Sequence, residues 1–264
     1  HSADSGWIGS STSAESTSIS PLMNAPIFIA SAARTPIGSF LGALAPVPAP
    51  KLGATAIVGA LSRAKLDPKA IEEVFMGNVL SGGVGQAPAR QALIYAGLPN
   101  TVPATTVGKV CGSGLQAVVL GARTIALGEN DLVVAGGMES MSNAPYYVFG
   151  ARGGFRMGNQ QMVDGMIHDG LWDPYNNVHM GNCGDLCAKE YKITREAQDE
   201  FAKESFRRAL SAQKEGLFDA EIEPVLVPQR KGDPLAVKLD EGPGKGDASK
   251  FGSLKPAFAK DGTI

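Results

Sequence analysis

From residue 26 onward, short apolar runs alternate along the chain with stretches in which apolar residues recur at helical spacing. Short apolar runs predict β-strands, and they cover residues 26–38, 72–80, 104–110 and 131–140. Between them, apolar residues recur at helical spacing over residues 51–66, 89–98 and 114–128. Strands and helices in strict alternation predict an α/β fold with helices on both faces of a sheet.

One predicted helix, residues 114–128, is unusually apolar. Only Gln116, Arg123 and Thr124 interrupt its apolar surface. Because a helix that is hydrophobic nearly all round is normally covered on every side, a second domain, a partner chain or both are expected to lie against it.

The pattern changes after Met141. Residues 144–183 are rich in Gly and Met with little periodicity and predict an irregular insertion. A helix over residues 195–216 follows, capped by Thr194 and ended by Gly216. A strand over residues 221–230 and a polar loop over residues 238–258 complete the prediction.

Composition removes several classes of function. The chain has 264 residues, 44% of them hydrophobic, and a net charge of -2, which gives no electrostatic basis for binding nucleic acid or an anionic membrane. No apolar run reaches the roughly 18 residues that span a bilayer. Three cysteines indicate free thiols in a reducing compartment rather than a disulfide framework. Residues 1–24, rich in Ser and Thr, are expected to be a flexible leader or a remnant of processing or engineering.

Cys111 stands where the third predicted strand gives way to the apolar helix, in the stretch KVCGSGLQ. Unpaired N–H groups and the helix dipole would stabilise a thiolate there, which favours a nucleophile. The glycines at 112 and 114 would let an acyl group approach closely. The alternative is a small buried apolar residue, as most free cysteines are.

Several blocks carry a family resemblance. In order they are NVLSGGVGQAPARQA, KVCGSGLQAV, VVAGGMESMSNAPY, HMGNC, REAQDEFA and GLFDAEIEPV. This series resembles the thiolases, and within them the short-chain acetyl-CoA acetyltransferases of lipid and ketone-body metabolism. The resemblance covers nearly all of residues 27–264 and implies a thiolase-like mixed sheet with helices on both faces, the first of two similar halves.

The resemblance also implies a reaction. Cys111 matches the nucleophile, which would form a thioester with one acetyl-CoA and pass the acetyl group to a second, giving acetoacetyl-CoA and CoA, or catalyse the reverse thiolysis. Residues 25–143 would be the core domain, residues 144–254 a loop domain that binds CoA, and residues 255–264 a return to the core.

The loop domain would supply the remaining binding residues. His179 and Met180 match the pair that lines the acyl pocket, while Lys245 and Lys250 match positions near the CoA nucleotide. A solvated lysine loop is the alternative for the last two. Phe206 replaces a tyrosine that helps hold potassium in one branch of the family, so potassium activation is not expected.

The family's catalytic histidine, second cysteine and Asn-Glu-Ala-Phe motif are absent from the sequence, since they belong to the second half. The fifth strand of the first sheet would also follow residue 264. The chain alone is therefore expected to be inactive. A homotetramer, built as a dimer of dimers in the mitochondrial matrix or cytosol, is the assembly that the resemblance implies.

Other interpretations remain open at this point. The enzyme could instead be a degradative 3-ketoacyl-CoA thiolase with a longer acyl pocket, or the chain a non-catalytic CoA-binding or interaction module. His179, Cys183 and Cys187 would share a helical face suited to zinc, but Gly181 and Gly184 argue against a continuous helix, and no metal is expected. His168 and Trp172 receive no role. Arg34 is expected to be a structural ion-pair or cap residue rather than a catalytic one.

Overall fold

The computed structural model describes residues 25–264, so the predicted leader lies outside the described residues. Its centre is a parallel sheet of three strands in the order β2-β1-β3. Strand β1 spans Glu73–Gly77, β2 spans Ala104–Val107 and β3 spans Val133–Gly137. All three end at the same edge of the sheet, because they run parallel and in register from Gly77 to Val107 and Gly137.

Helices cover both faces of this sheet. Helices α1 (Ala49–Ala64) and α2 (Pro88–Tyr95) enclose a core with Val74 and Met76 on one face. Helix α3 (Ser113–Ala126) lies on the other, where Phe75 packs with Ala117 and Val107. Successive residues of β1 therefore point to opposite faces and are buried on each, as a central parallel strand requires. The predicted α/β class with helices on both faces is confirmed.

The strand predicted over residues 26–38 is wrong. The segment forms no strand, and its only bridge is an isolated one from Arg34 to Ile222. Phe28 and Ile29 are each 81% exposed. An apolar run forms a strand only when a neighbouring strand takes up its N–H and C=O groups, and residues 25–264 place none beside it.

The second part of the described chain consists of short elements and two longer helices. Its hairpins pair β4 (Tyr146–Tyr147) with β5 (Val163–Asp164), β6 (Trp172–Asp173) with β7 (Val178–His179), and β8 (Val225–Val227) with β9 (Leu235–Val237). Its helices are α4 (Met180–Glu190), α5 (Arg195–Lys214) and α6 (Gly242–Lys245). The predicted polar loop over residues 238–258 is thus partly helical, with α6 and a 3-10 turn over Ala248–Ser253, which Asp247 caps.

Helix α4 also corrects the sequence prediction, because it runs unbroken through Gly181 and Gly184. Each glycine costs about 1 kcal/mol in a helix. A capping box offsets part of this cost, since the His179 ring accepts from Gly181 N–H and the Asn182 side chain accepts from His179 N–H. The prediction for α5 is confirmed: the Thr194 hydroxyl accepts from the Ala197 N–H.

The apolar helix α3 has one uncovered face. Ala117 and Gly121 are buried against the sheet, but Leu115 is 72% exposed and Val118 is also exposed. Within residues 25–264 no element covers this face. Separately, none of the helices that the structure describes is long and apolar enough to cross a membrane.

Candidate active site

Cys111 lies in a tight turn between β2 and α3. The Gly112 N–H donates to the Lys109 carbonyl at 3.1 Å, and the Ser113 N–H donates to the Val110 carbonyl at 3.0 Å. Val110, directly before the cysteine, has a φ of 46°. Within residues 25–264 Cys111 is exposed, so it is not the small buried apolar residue of the alternative interpretation. It lies two residues before α3 begins at Ser113, close to the positive end of the helix dipole.

Helix α3 begins directly against the ends of β1 and β3 because two strand glycines allow it. A Cβ atom on Gly77 would lie 2.5 Å from the Gly114 backbone nitrogen, and one on Gly137 would lie 3.3 Å from the Gly114 Cα. A Cβ on Gly114 itself would make only ordinary contacts, the nearest at 3.8 Å. The close approach therefore depends on the strand glycines. That Gly112 and Gly114 admit an acyl group stays a prediction.

Three polar residues that the sequence analysis missed hold the carboxyl edge of the sheet together. The Glu139 carboxylate accepts from the N–H groups of Val79 and Leu80 and from the Asn78 side chain. Ser113 is buried with its hydroxyl bonded to the turn before Cys111. No sequence periodicity marks such residues, although their place at strand ends, where ligands bind in α/β sheets, is a usable signal.

His179 and Met180 lie together where β7 becomes α4. The His179 ring accepts from the Gly181 N–H through Nδ1 at 3.0 Å and stacks on Phe258, with 4.8 Å between ring centroids. Met180 is exposed beside it. Phe258, which the sequence analysis did not single out, thus fixes the plane of the histidine ring by stacking against it.

The two candidate lysines are each engaged by a nearby carboxylate. Lys245 Nζ lies 3.1 Å from Glu241 Oε1, and Lys250 Nζ lies 3.1 Å from Asp247 Oδ2. The N–H of Ser39 and then the ammonium of Lys245 hold the pKa of Glu241 below its ordinary value. Both ammonium groups are largely exposed. No hydrogen bond or ion pair among the described residues joins either lysine to Cys111 or His179.

Phe206 and His168 each pack against aromatic rings. Phe206 packs edge-on against Phe251, with ring centroids 5.0 Å apart. His168 contacts the rings of Tyr147 and Phe149, and its side chain borders a cavity of about 240 Å³ together with Trp172.

The zinc alternative finds no support in the arrangement of its three residues. Although α4 is continuous, the His179 Nδ1 atom is already used in the cap of the helix. Across the part of the chain that the structure describes, no three His, Cys, Asp or Glu side chains gather as metal ligands.

Comparison with known proteins agrees with this architecture. The family model described as "Thiolase, N-terminal domain" matches residues 27–264. The acetyl-CoA acetyltransferase of Cupriavidus necator is 57% identical over 239 residues, which cover 90% of this chain and 61% of that protein. Acetyl-CoA acetyltransferase 2 of Arabidopsis thaliana is 54% identical over 237 residues, which cover 89% of this chain and 59% of that protein.

A third relative, the acetyl-CoA acetyltransferase of Chromobacterium violaceum, is 56% identical over 240 residues, again 90% of this chain and 61% of the relative. The chain thus spans about three fifths of the length of the curated relatives it matches. Because the family model matches nearly every described residue and the identity exceeds one half, the chain belongs to the thiolase family.

Proposed function

We propose that this protein transfers acetyl groups through a thioester on Cys111. The supporting observation is the exposed Cys111 directly before the N-cap of α3, in a chain whose relatives are named acetyl-CoA acetyltransferases. Sulfur would attack the thioester carbonyl of acetyl-CoA, forming acetyl-Cys111 and releasing CoA, which takes up the thiol proton. The positive end of the α3 dipole suits the negative charge that develops.

The second half-reaction makes the carbon–carbon bond. A second acetyl-CoA loses a proton from its methyl group, and the resulting carbanion attacks acetyl-Cys111. Acetoacetyl-CoA leaves, and the thiol is restored by the proton that the methyl group lost. The reverse direction is thiolysis of acetoacetyl-CoA by CoA. Each step moves one proton, so the site needs a group that accepts and returns it.

No side-chain hydrogen bond among residues 25–264 joins the Cys111 thiol to such a group. The two histidines that the structure describes are used elsewhere: His179 caps α4, and His168 packs against Tyr147 and Phe149. We propose that the proton-transfer groups lie outside the described residues and that this chain alone forms the thioester without turning over acetoacetyl-CoA.

We propose that residues in the second part of the chain bind CoA. His179, Met180 and Phe258 form an accessible surface with an aromatic stack, which suits the apolar pantetheine arm of CoA. Lys245 and Lys250 carry exposed ammonium groups that could exchange their carboxylate partners for the phosphates of the nucleotide. Phe206 offers no oxygen to a hard cation, so we propose that acetyl transfer does not depend on potassium.

Assembly into a homotetramer is likewise proposed. Strand β4 and the loop that joins it to β5 expose several large apolar side chains, namely those of Tyr146, Val148, Phe149, Phe155, Met157 and Met162. Patches of this kind mark contacts between chains more often than free surface. We propose that second copies of the chain cover this loop. An intracellular location, in the mitochondrial matrix or cytosol, suits the three free cysteines.

Intact mass spectrometry after incubation with acetyl-CoA tests the thioester. The expected result is a gain of one acetyl group that Cys111→Ser abolishes and that the matched control Cys187→Ser, at an exposed thiol on α4, leaves in place. Binding of CoA without acylation would overturn the transferase proposal in favour of a non-catalytic module. Equal acylation by hexanoyl-CoA and acetyl-CoA would favour a longer-chain thiolase.

A further inference from the structure

Ser113 is one of two buried polar side chains among the described residues, and it is only 3% exposed. Its hydroxyl accepts from the Lys109 N–H at 2.7 Å and donates to the Val110 carbonyl at 2.6 Å. Both partners belong to the two residues directly before Cys111. A buried hydroxyl with its donor and acceptor both satisfied fixes the backbone that it joins.

That backbone is in a disfavoured conformation. The φ of 46° places Val110 in the left-handed region, where a β-branched residue is a true outlier. The Val110 side chain is 56% exposed, so burial of its methyl groups does not compensate for the strain. Such strain persists only where the surrounding structure over-determines it, and here the bonds from Ser113 and from the turn supply that constraint.

We propose that Ser113 is a positioning residue, which holds Val110 in the left-handed conformation and so fixes Cys111 directly before the N-cap of α3. With Val110 in this conformation, the chain reverses between Lys109 and Gly112, which are joined by a hydrogen bond of 3.1 Å. With Val110 extended, β2 would continue and carry the thiol away from the positive end of the α3 dipole. The inference deepens the proposed function, since it concerns the same nucleophile.

The space around residue 113 limits what can replace serine. A Cβ on Gly77 would lie 2.8 Å from the Ser113 Cβ, so the side chain lies directly against the end of β1. Threonine would add a methyl group to this tight contact. Alanine fits but offers no hydroxyl, and the Lys109 N–H would lose its partner. Ser113→Ala is therefore the smallest change that removes the restraint.

Alkylation by iodoacetamide tests the proposal without using acetyl-CoA. The thiolate sulfur displaces iodide and the thiol proton passes to buffer, and peptide mass spectrometry gives the rate at each cysteine. Cys183 and Cys187 are references within the same molecule. Ser113→Ala is expected to slow Cys111 about fivefold at neutral pH relative to both, because the thiolate loses the helix terminus. Adding Val110→Asn should restore most of the rate, since asparagine tolerates the left-handed region.

Val110→Pro is the independent variant. Proline cannot adopt a φ of 46°, so Cys111 should slow about as much with Ser113 in place. A rate within twofold of the parent chain in either single variant, with Cys183 and Cys187 unchanged, would overturn the proposal, as would a double variant as slow as Ser113→Ala. If Ser113→Ala unfolds, seen as faster alkylation of both reference cysteines, Val110→Pro decides. Failure of the thioester itself would appear separately, as missing acetylation with this alkylation pattern intact.

Discussion

Arg34 forms a bidentate ion pair with Asp240: Nη1 donates to Oδ1 at 2.8 Å and Nη2 donates to Oδ2 at 3.0 Å. The same carboxylate accepts from the Ile37 N–H at 2.7 Å, and the arginine also pairs with Glu221. The residues that precede α1 are thereby joined to residues about two hundred positions later. The sequence prediction of a structural ion pair at Arg34 is confirmed.

Asp240→Asn should lower the free energy of unfolding by about 1–3 kcal/mol, because an amide NH₂ would face the guanidinium where an oxygen now accepts. The carboxylate is mostly buried, so water would not replace the lost bond. Urea unfolding gives the value. Asp233→Asn, in an exposed loop between β8 and β9, is the matched control and should change stability by less than about 0.5 kcal/mol. Equal effects of the two would exclude a role for the pair.

The pair also predicts how stability depends on pH. Burial acts to raise the pKa of Asp240, but the hydrogen bonds from Arg34 and the Ile37 N–H outweigh it and hold the pKa below its ordinary value of 3.8. A lowered pKa in the folded state stabilises the fold above the unfolded value and ceases to do so as the pH falls through the folded value. Stability should therefore decline below about pH 4, and Asp240→Asn should make that decline shallower in urea titrations at pH 3–5.

Gly77→Ala should destabilise the fold by about 2–4 kcal/mol, because the new methyl group would meet the Gly114 nitrogen at 2.5 Å and force α3 away from the sheet. Gly114→Ala is the matched control at the other side of the contact. Its methyl group has ordinary clearance, and alanine favours the helix, so stability should hold or rise by up to about 1 kcal/mol. If thermal or urea unfolding showed Gly114→Ala to be less stable than Gly77→Ala, this explanation of the close contact between α3 and β1 would be wrong.

The sequence predicted those elements whose own residues determine them. Strand β1 and helix α3 followed from apolar periodicity, and the start of α5 followed from the Thr194 cap. The failed strand at residues 26–38 has the right pattern in Phe28 and Ile29, but pairing depends on a neighbour that the pattern cannot supply.

The site was predictable only in part, for similar reasons. The position of Cys111 follows from a strand running into a helix, whereas the left-handed Val110 contradicts its local preference and depends on Ser113 from the next turn. Phe258 meets His179 across a long sequence separation, and no local signal marks that contact. Tertiary contacts override local propensity at these places, as is common at functional sites.

Replacement of potassium by sodium at constant ionic strength should change the rate of Cys111 acetylation by less than about twofold, since Phe206 presents a ring to Phe251 where a cation would need oxygen. Phe206→Tyr is the matched variant, because it adds only a hydroxyl. Acetylation rates by quenched-flow mass spectrometry give the comparison. A large potassium effect in the parent chain would show that the cation is held by other oxygens.

The uncovered face of α3 gives the last prediction. Leu115→Glu should leave the free energy of unfolding of this chain within about 0.5 kcal/mol, because Leu115 already lies mostly in solvent, and should reduce self-association seen by light scattering. Ala117→Glu, two residues along the same helix but fully buried against the sheet, should cost more than about 3 kcal/mol. If α3 is covered in a longer protein, as the apolar pattern predicts, Leu115→Glu should become as damaging there as Ala117→Glu is here. Equal tolerance of Leu115→Glu in both forms would mean that nothing packs on this face.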